Sequence, residues 1–234
     1  MRVLLLAHDH VSPAGPVAEH FSTRGYDIVE GLVVQPDDYY EPNKPFDFPD
    51  VAGFDAIVPM GSPWGAWDDE RIGEWLLPEL DWLLQADAVG VPVLGICFGG
   101  QLLARAHGGS VARAPRPEIG WTPVWSDEPQ IIAPGPWFQF HYDRWQVPPG
   151  ATEIARTPMA SQAFTLRRNL AVQFHPELTE ATLAGWLGND GRDLVIADGQ
   201  DPDVLLAFTA AEEERARLRA HELVDAFLER VACR

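Results

Sequence analysis

The chain has 234 residues, enough for one large core or a core with an appended helical piece, and 46% hydrophobic against 22% charged residues is an ordinary globular composition. Seventeen basic residues against 35 acidic ones leave a formal charge of −18, a field that repels phosphate backbones and anionic lipid and so argues against nucleic acid or a membrane as partner. Two cysteines, Cys97 and Cys233, cannot make a disulfide framework, and a reducing cytoplasm is the expected setting.

The first apolar run, residues 3–7, is too short to span a membrane and lacks the h-region and cleavage site of a signal peptide, so it reads as a buried first strand. Further strands are expected at 27–34, 56–60 and 91–96, with helices near 16–24, 72–86 and 98–107. Short apolar runs alternating with helical periodicity predict an α/β fold, a mostly parallel doubly wound sheet with flanking helices. After Gly109 the pattern changes to closely spaced extended segments at 119–125, 138–140, 153–157, 163–167 and 170–174, which predict a small, partly antiparallel layer. Residues 203–231 carry Leu205, Leu206, Phe208, Leu218, Leu223, Val224 and Phe227 in a helix-favouring acidic background, consistent with terminal helices packed back on the core. The expected organisation is a catalytic domain over 1–190 and a helical extension over 191–234.

The chemistry concentrates at Gly95-Ile96-Cys97-Phe98-Gly99-Gly100-Gln101, where an apolar strand runs through a glycine-bounded turn into a helix. Such a turn lifts Cys97 onto a corner with a helix N-terminus behind its sulfur, and that partial positive charge favours the thiolate. A thiol nucleophile needs a base. The run 170–174 ends at His175-Pro176-Glu177, where Pro176 favours an extended His175 at the end of a strand. The two-residue spacing puts Glu177 on the same side as the ring it would orient. Cys97, His175 and Glu177 thus form a candidate nucleophile, base and orienter. His8, His10, His20 and His221 have no metal-site spacing, His107 reads as structural, and neither metal nor cofactor is expected.

These segments resemble class I glutamine amidotransferases, whose signatures are a Gly-x-Cys-x-Gly-x-Gln turn and a downstream Gln-Phe-His-Pro-Glu. Residues 57–63 resemble the family's oxyanion-loop strand. Phe138-Gln139-Phe140-His141-Tyr142-Asp143, followed by residues 148–151, resembles the subgroup near the glutaminase domain of GMP synthetase. The resemblance covers roughly residues 1–185 and implies a flavodoxin-like fold with the site at the carboxyl ends of the strands. It also implies backbone donors from Ser62 and Phe98 as the oxyanion hole, and substrate contacts from Gly61, Gln101, His141 and Asp143. Two departures stand out: Ser62 replaces a second glycine, and Tyr142 replaces a glycine common in relatives of GMP synthetase. Of the tryptophans, Trp64 is the expected pocket wall, while Trp67, Trp121, Trp125, Trp137 and Trp145 read as core or rim.

Neither a Gly-x-x-x-x-Gly-Lys-Ser/Thr phosphate loop nor the Ser-Gly-Gly-x-Asp-Ser loop of ATP pyrophosphatases occurs in the chain. Three readings follow. The first is a stand-alone thiol hydrolase of glutamine or a γ-glutamyl amide; the second is a glutaminase subunit feeding ammonia to a separate synthetase chain. The third is a non-catalytic binding protein of the same fold, against which the Cys97, His175 and Glu177 set argues.

Overall fold

The computed structural model describes residues 1–233 and folds them around a three-stranded and a six-stranded sheet. Strand β1 (Arg2–Ala7) lies between β2 (Asp27–Leu32) and β3 (Ala56–Pro59), pairing with both in parallel. A single parallel bridge, Ile57 to Val93, joins this trio to β4 (Leu94–Ile96), which pairs in parallel with β9 (Asn169–Val172). From β9 onward every pairing is antiparallel, through β8 (Ser161–Leu166), β7 (Thr152–Arg156), β5 (Ser110–Ser126) and β6 (Gly135–Gln146). The fold is the α/β arrangement expected, and the antiparallel layer is not a separate one: it continues the parallel sheet edge to edge at β9 and curls away from it.

Alternation along β1 shows why the sheet needs helices on both sides. Val3 and Leu5 join Val58, Leu94 and Ile96 in a core with Phe21 of α1 (Gly15–Thr23) and Leu223 of α6 (Pro202–Ala226). Leu4 and Leu6 face the other way, into a core with Trp75 and Leu83 of α2 (Asp69–Val89) and Leu102 of α3 (Phe98–Ala106). α2 starts where the Asp68 side chain accepts from the Arg71 N–H, and it stops at Gly90 in a left-handed conformation, φ 80°.

Helices α4 (Glu180–Trp186) and α5 (Arg192–Ala197) occupy a stretch for which the sequence pattern gave no helix. Between them Leu187–Gly191 is interrupted at Asp190, φ 63°, so neither helix reaches the length at which periodicity is visible. Leu183, Leu187 and Val195 nonetheless pack with Ile119, Phe138 and Leu205 in a small third core that fastens these helices over β5 and β6.

Candidate active site

Cys97 sits at the turn between β4 and α3 with φ 49° and ψ −102°, a conformation that L-residues with a side chain rarely adopt. Backbone hydrogen bonds over-determine it: Cys97 N–H donates to Val172 O of β9 at 2.8 Å, and Gly99 N–H donates to Met60 O after β3 at 3.1 Å. Gly99 is required because a Cβ there would overlap the carbonyl oxygen of Pro59. The thiol is thus held over the point where β3, β4 and β9 end together, at the floor of a cleft of about 680 Å³.

His175 reaches the same cleft differently from the expectation that it ends a strand. β9 stops at Val172, and His175 is fixed beyond it by its own N–H donating to Phe138 O at 2.9 Å. Pro176 and Glu177 then turn, so Glu177 comes back beneath the ring by a turn and not by strand pleating. Glu177 Oε1 lies 2.7 Å from His175 Nδ1, and neither residue is more than 6% exposed. Trp186 of α4 packs its ring edge-on against the imidazole at 5.0 Å between centroids.

Burial disfavours a charged imidazole here, yet the Glu177 carboxylate and the Cys97 sulfur outweigh it and hold the His175 pKa well above 6.5. With Nδ1 committed to Glu177, the nitrogen left for the sulfur is Nε2. It has no aligned hydrogen bond among the described residues, yet the Cys97 sulfur stands near enough to act on the ring both by charge and as a hydrogen-bond partner. A protonated ring with one nitrogen anchored and the other beside a thiol can give up a proton and take one back.

Gly61 lies against both groups. A Cβ built on it would stand 3.1 Å from His175 Cε1 and 4.0 Å from Cys97 Cβ, so a side chain would press on the ring. The amide N–H groups of Ser62 and Phe98 have no hydrogen-bond acceptor among the described residues.

The remaining expected residues line the opposite wall. Gln101 donates through Nε2 toward Asp143 O at 3.5 Å and Gln173 Oε1 at 3.3 Å. His141 Nδ1 bonds to Asp143 O at 2.9 Å, and its Nε2 lies 3.2 Å from Glu118 Oε2. Asp143 Oδ1 is 3.7 Å from Arg113 Nε, whose guanidinium also stacks over the Tyr142 ring at 5.4 Å. Tyr142 is thus part of the wall, braced by a cation. Trp64 lines the cleft as well, packed between Tyr39 and Trp75, and Trp67 lies at its rim.

Gln173, Glu118 and Arg113 were not singled out by the sequence. Gln173 is fully buried and its Nε2 approaches Cys97 Sγ at 3.6 Å, bridging sulfur and Gln101; its place two residues before His175 was the available signal. Glu118 and Arg113 come from β5, on either side of a register shift that no local pattern announces. Among the described residues no group of three or more His, Cys, Asp or Glu is arranged to hold a metal, and no helix is long and apolar enough to cross a membrane.

Comparison with known proteins agrees with this fold. Residues 77–185 match the family model described as glutamine amidotransferase class-I. The GMP synthase [glutamine-hydrolyzing] of Aeropyrum pernix is 38% identical over 138 residues, covering 56% of this chain and 25% of the relative; that of Thermomicrobium roseum is 42% identical over 141 residues, covering 55% and 24%. This chain therefore spans about a quarter of the length of those curated relatives. The crystal structure of a glutamine amidotransferase from Thermotoga maritima superposes with TM-score 0.82 at 24% identity, covering 98% of both chains. A glutamine amido transferase from Methylobacillus flagellatus gives TM-score 0.82 at 23% identity over 97% of this chain and 94% of that one.

Proposed function

We propose that this chain is a thiol hydrolase that cleaves the side-chain amide of glutamine or of a γ-glutamyl amide, with Cys97 as nucleophile, His175 as acid and base, and Glu177 as the group that orients and charges the ring. The observation that carries the reading is the His175 imidazole, anchored to Glu177 at 2.7 Å through Nδ1 and otherwise free beside a thiol on a strained turn.

The Cys97 sulfur attacks the amide carbon, and the carbonyl π electrons move onto oxygen, where the N–H groups of Ser62 and Phe98 receive the charge. One such donor contributes about 3 kcal/mol in comparable sites. Collapse breaks the C–N bond, the His175 imidazolium gives its proton to the departing nitrogen, and ammonia or an amine leaves. Water then gives a proton to His175 and attacks the γ-glutamyl thioester; the C–S bond breaks, releasing glutamate and restoring the thiolate–imidazolium pair. Gln101, His141 and Asp143, with Gly61, bind the amino-acid end. Neither metal nor cofactor takes part, and a cytoplasmic setting keeps the thiol reduced. Residues 1–190 form the catalytic domain and 191–234 its helical extension.

A second reading is favoured by the relatives: each is a glutamine-hydrolysing GMP synthase about four times the length of the matched part, so this chain as a glutaminase subunit would hand ammonia to a separate synthetase. Purified chain alone separates the two. Turnover of γ-glutamyl amides, with a γ-glutamyl unit trapped on Cys97 and absent from Cys97→Ser, is the expected result. Glutaminase activity appearing only when a synthetase is added supports the second reading, and failure of Cys97 to be labelled by a γ-glutamyl chloroketone sinks both.

A further inference from the structure

The mechanism leaves one buried ionisable pair unused. His8, just past β1, and Glu79, on α2, are both fully buried. His8 Nε2 lies 3.1 and 3.2 Å from the two Glu79 carboxylate oxygens, and His8 Nδ1 lies 3.1 Å from the carbonyl oxygen of Gly61. Trp75, four residues before Glu79 and so on the same face of α2, stacks on the imidazole at 5.5 Å, and Phe98 meets it edge-on at 4.7 Å. Burying this charge is costly, so the pair calls for an account.

Peptide planarity supplies it. In a trans peptide the C=O and the following N–H point in opposite directions, and no peptide bond among the described residues is cis. A Gly61 carbonyl turned to His8 therefore turns the Ser62 N–H away from His8, and Gly61 itself lies against Cys97 and His175. Rotated the other way, the same peptide would present its carbonyl oxygen to the developing oxyanion and repel it. Gly61 has no Cβ to restrict that rotation, while Pro63 restrains only Ser62. We infer that His8, backed by Glu79, is a positioning residue that holds the Gly61–Ser62 peptide with its N–H toward Cys97.

Only a doubly protonated ring donates to both partners at once. Burial opposes that state, but the Glu79 carboxylate and the Gly61 carbonyl overcome it and raise the His8 pKa above 6.5. Glu79 thereby fixes the charge and orientation of a ring whose other nitrogen fixes the loop.

The inference rests on the hydrolase reading, and the experiment separates the two. His8→Leu is expected to lower kcat on a γ-glutamyl amide by about 10²-fold, the effect of losing one oxyanion donor, with KM within about twofold. Affinity for a γ-glutamyl aldehyde, which forms a tetrahedral adduct on Cys97, should fall by a similar factor. Alkylation of Cys97 by iodoacetamide makes no oxyanion and should keep its wild-type rate. His8→Asn, which retains a donor, should recover about tenfold over His8→Leu. If the single variant does not fold, His8→Leu with Glu79→Leu removes both charges together and takes its place. A folded variant with wild-type kcat overturns the inference alone, as does an equal fall in the iodoacetamide rate, which marks general collapse of the site. Wild-type protein that neither turns over γ-glutamyl amides nor binds the aldehyde overturns the hydrolase reading as well.

Discussion

Two buried histidine–glutamate pairs reach the same cleft, His175–Glu177 at the end of the parallel half of the sheet and His141–Glu118 on the antiparallel half, and their second nitrogens are treated differently. In the first pair Nδ1 is anchored at 2.7 Å and Nε2 is left to the sulfur. In the second, Nδ1 is bonded to Asp143 O at 2.9 Å, and Nε2, equally without an aligned hydrogen bond, lies 3.2 Å from Glu118 Oε2, so the group beside it is a carboxylate and not a thiol. Residue type alone does not separate a proton carrier from a wall. What separates them is which group stands beside the second nitrogen, sulfur for His175 and carboxylate for His141, and that follows from which elements close over the ring: a turn and the Trp186 edge around His175, two paired strands around His141.

Substitutions should divide along this line. Cys97→Ala is expected to reduce γ-glutamyl amide turnover by about 10⁴-fold or more, measured as amine or ammonia release, since the covalent route is gone. His175→Gln follows at about 10³-fold in kcat, with KM little changed, because the proton to the leaving nitrogen has no carrier. Residual activity near wild type in either would erase the distinction between the two pairs.

Glu177→Gln is expected to cost on the order of 10²-fold and to move the His175 ring titration, followed by NMR, down toward 6.5. The sign has a consequence for stability. A histidine whose folded pKa lies above its unfolded value contributes stabilisation that is complete below pH 6.5 and is lost as pH rises through the higher folded midpoint. Urea midpoints of wild type and Glu177→Gln should therefore be furthest apart at acidic pH and converge in alkali.

On the other wall the effect should fall on binding. Asp143→Asn or His141→Gln is expected to raise KM by about tenfold to a hundredfold while kcat stays within about threefold, since the charged contacts these residues offer are worth about 1.5–3 kcal/mol each. If kcat falls instead, the second pair belongs to the chemistry. Smallest of all is Arg217→Ala, which removes an exposed i,i+3 pair with Glu214 at 2.8 Å on α6; thermal melting should shift by about 1 °C or less, with turnover unchanged.

Cys97 and the strand–turn–helix around it were visible in the sequence because everything needed lies within seven consecutive residues: an apolar strand, glycines at the corner and a helix start. α2 was visible for a similar reason, since Ile72, Trp75, Leu76, Trp82 and Leu83 repeat at helical spacing over many turns. α4 and α5 were not, because each is at most seven residues long and owes its placement to Phe138 and Leu205 across the chain. Gln173 stood inside a motif that drew attention to His175, while Arg113 and Glu118 lie either side of an irregular stretch of β5, where alternation is lost.

The α/β fold, the turn that strains Cys97 and the proximity of His175 to Glu177 can be read from the residues alone, because each depends on contacts a few residues apart or on periodic burial. Local spacing does not reveal that Glu177 comes under the ring by a turn, that His8 grips Gly61 across 53 positions, or which histidine stands beside the thiol. Those outcomes depend on how separate strands and helices close over a side chain, and hydrogen-bond partners drawn from distant segments leave no trace in local spacing.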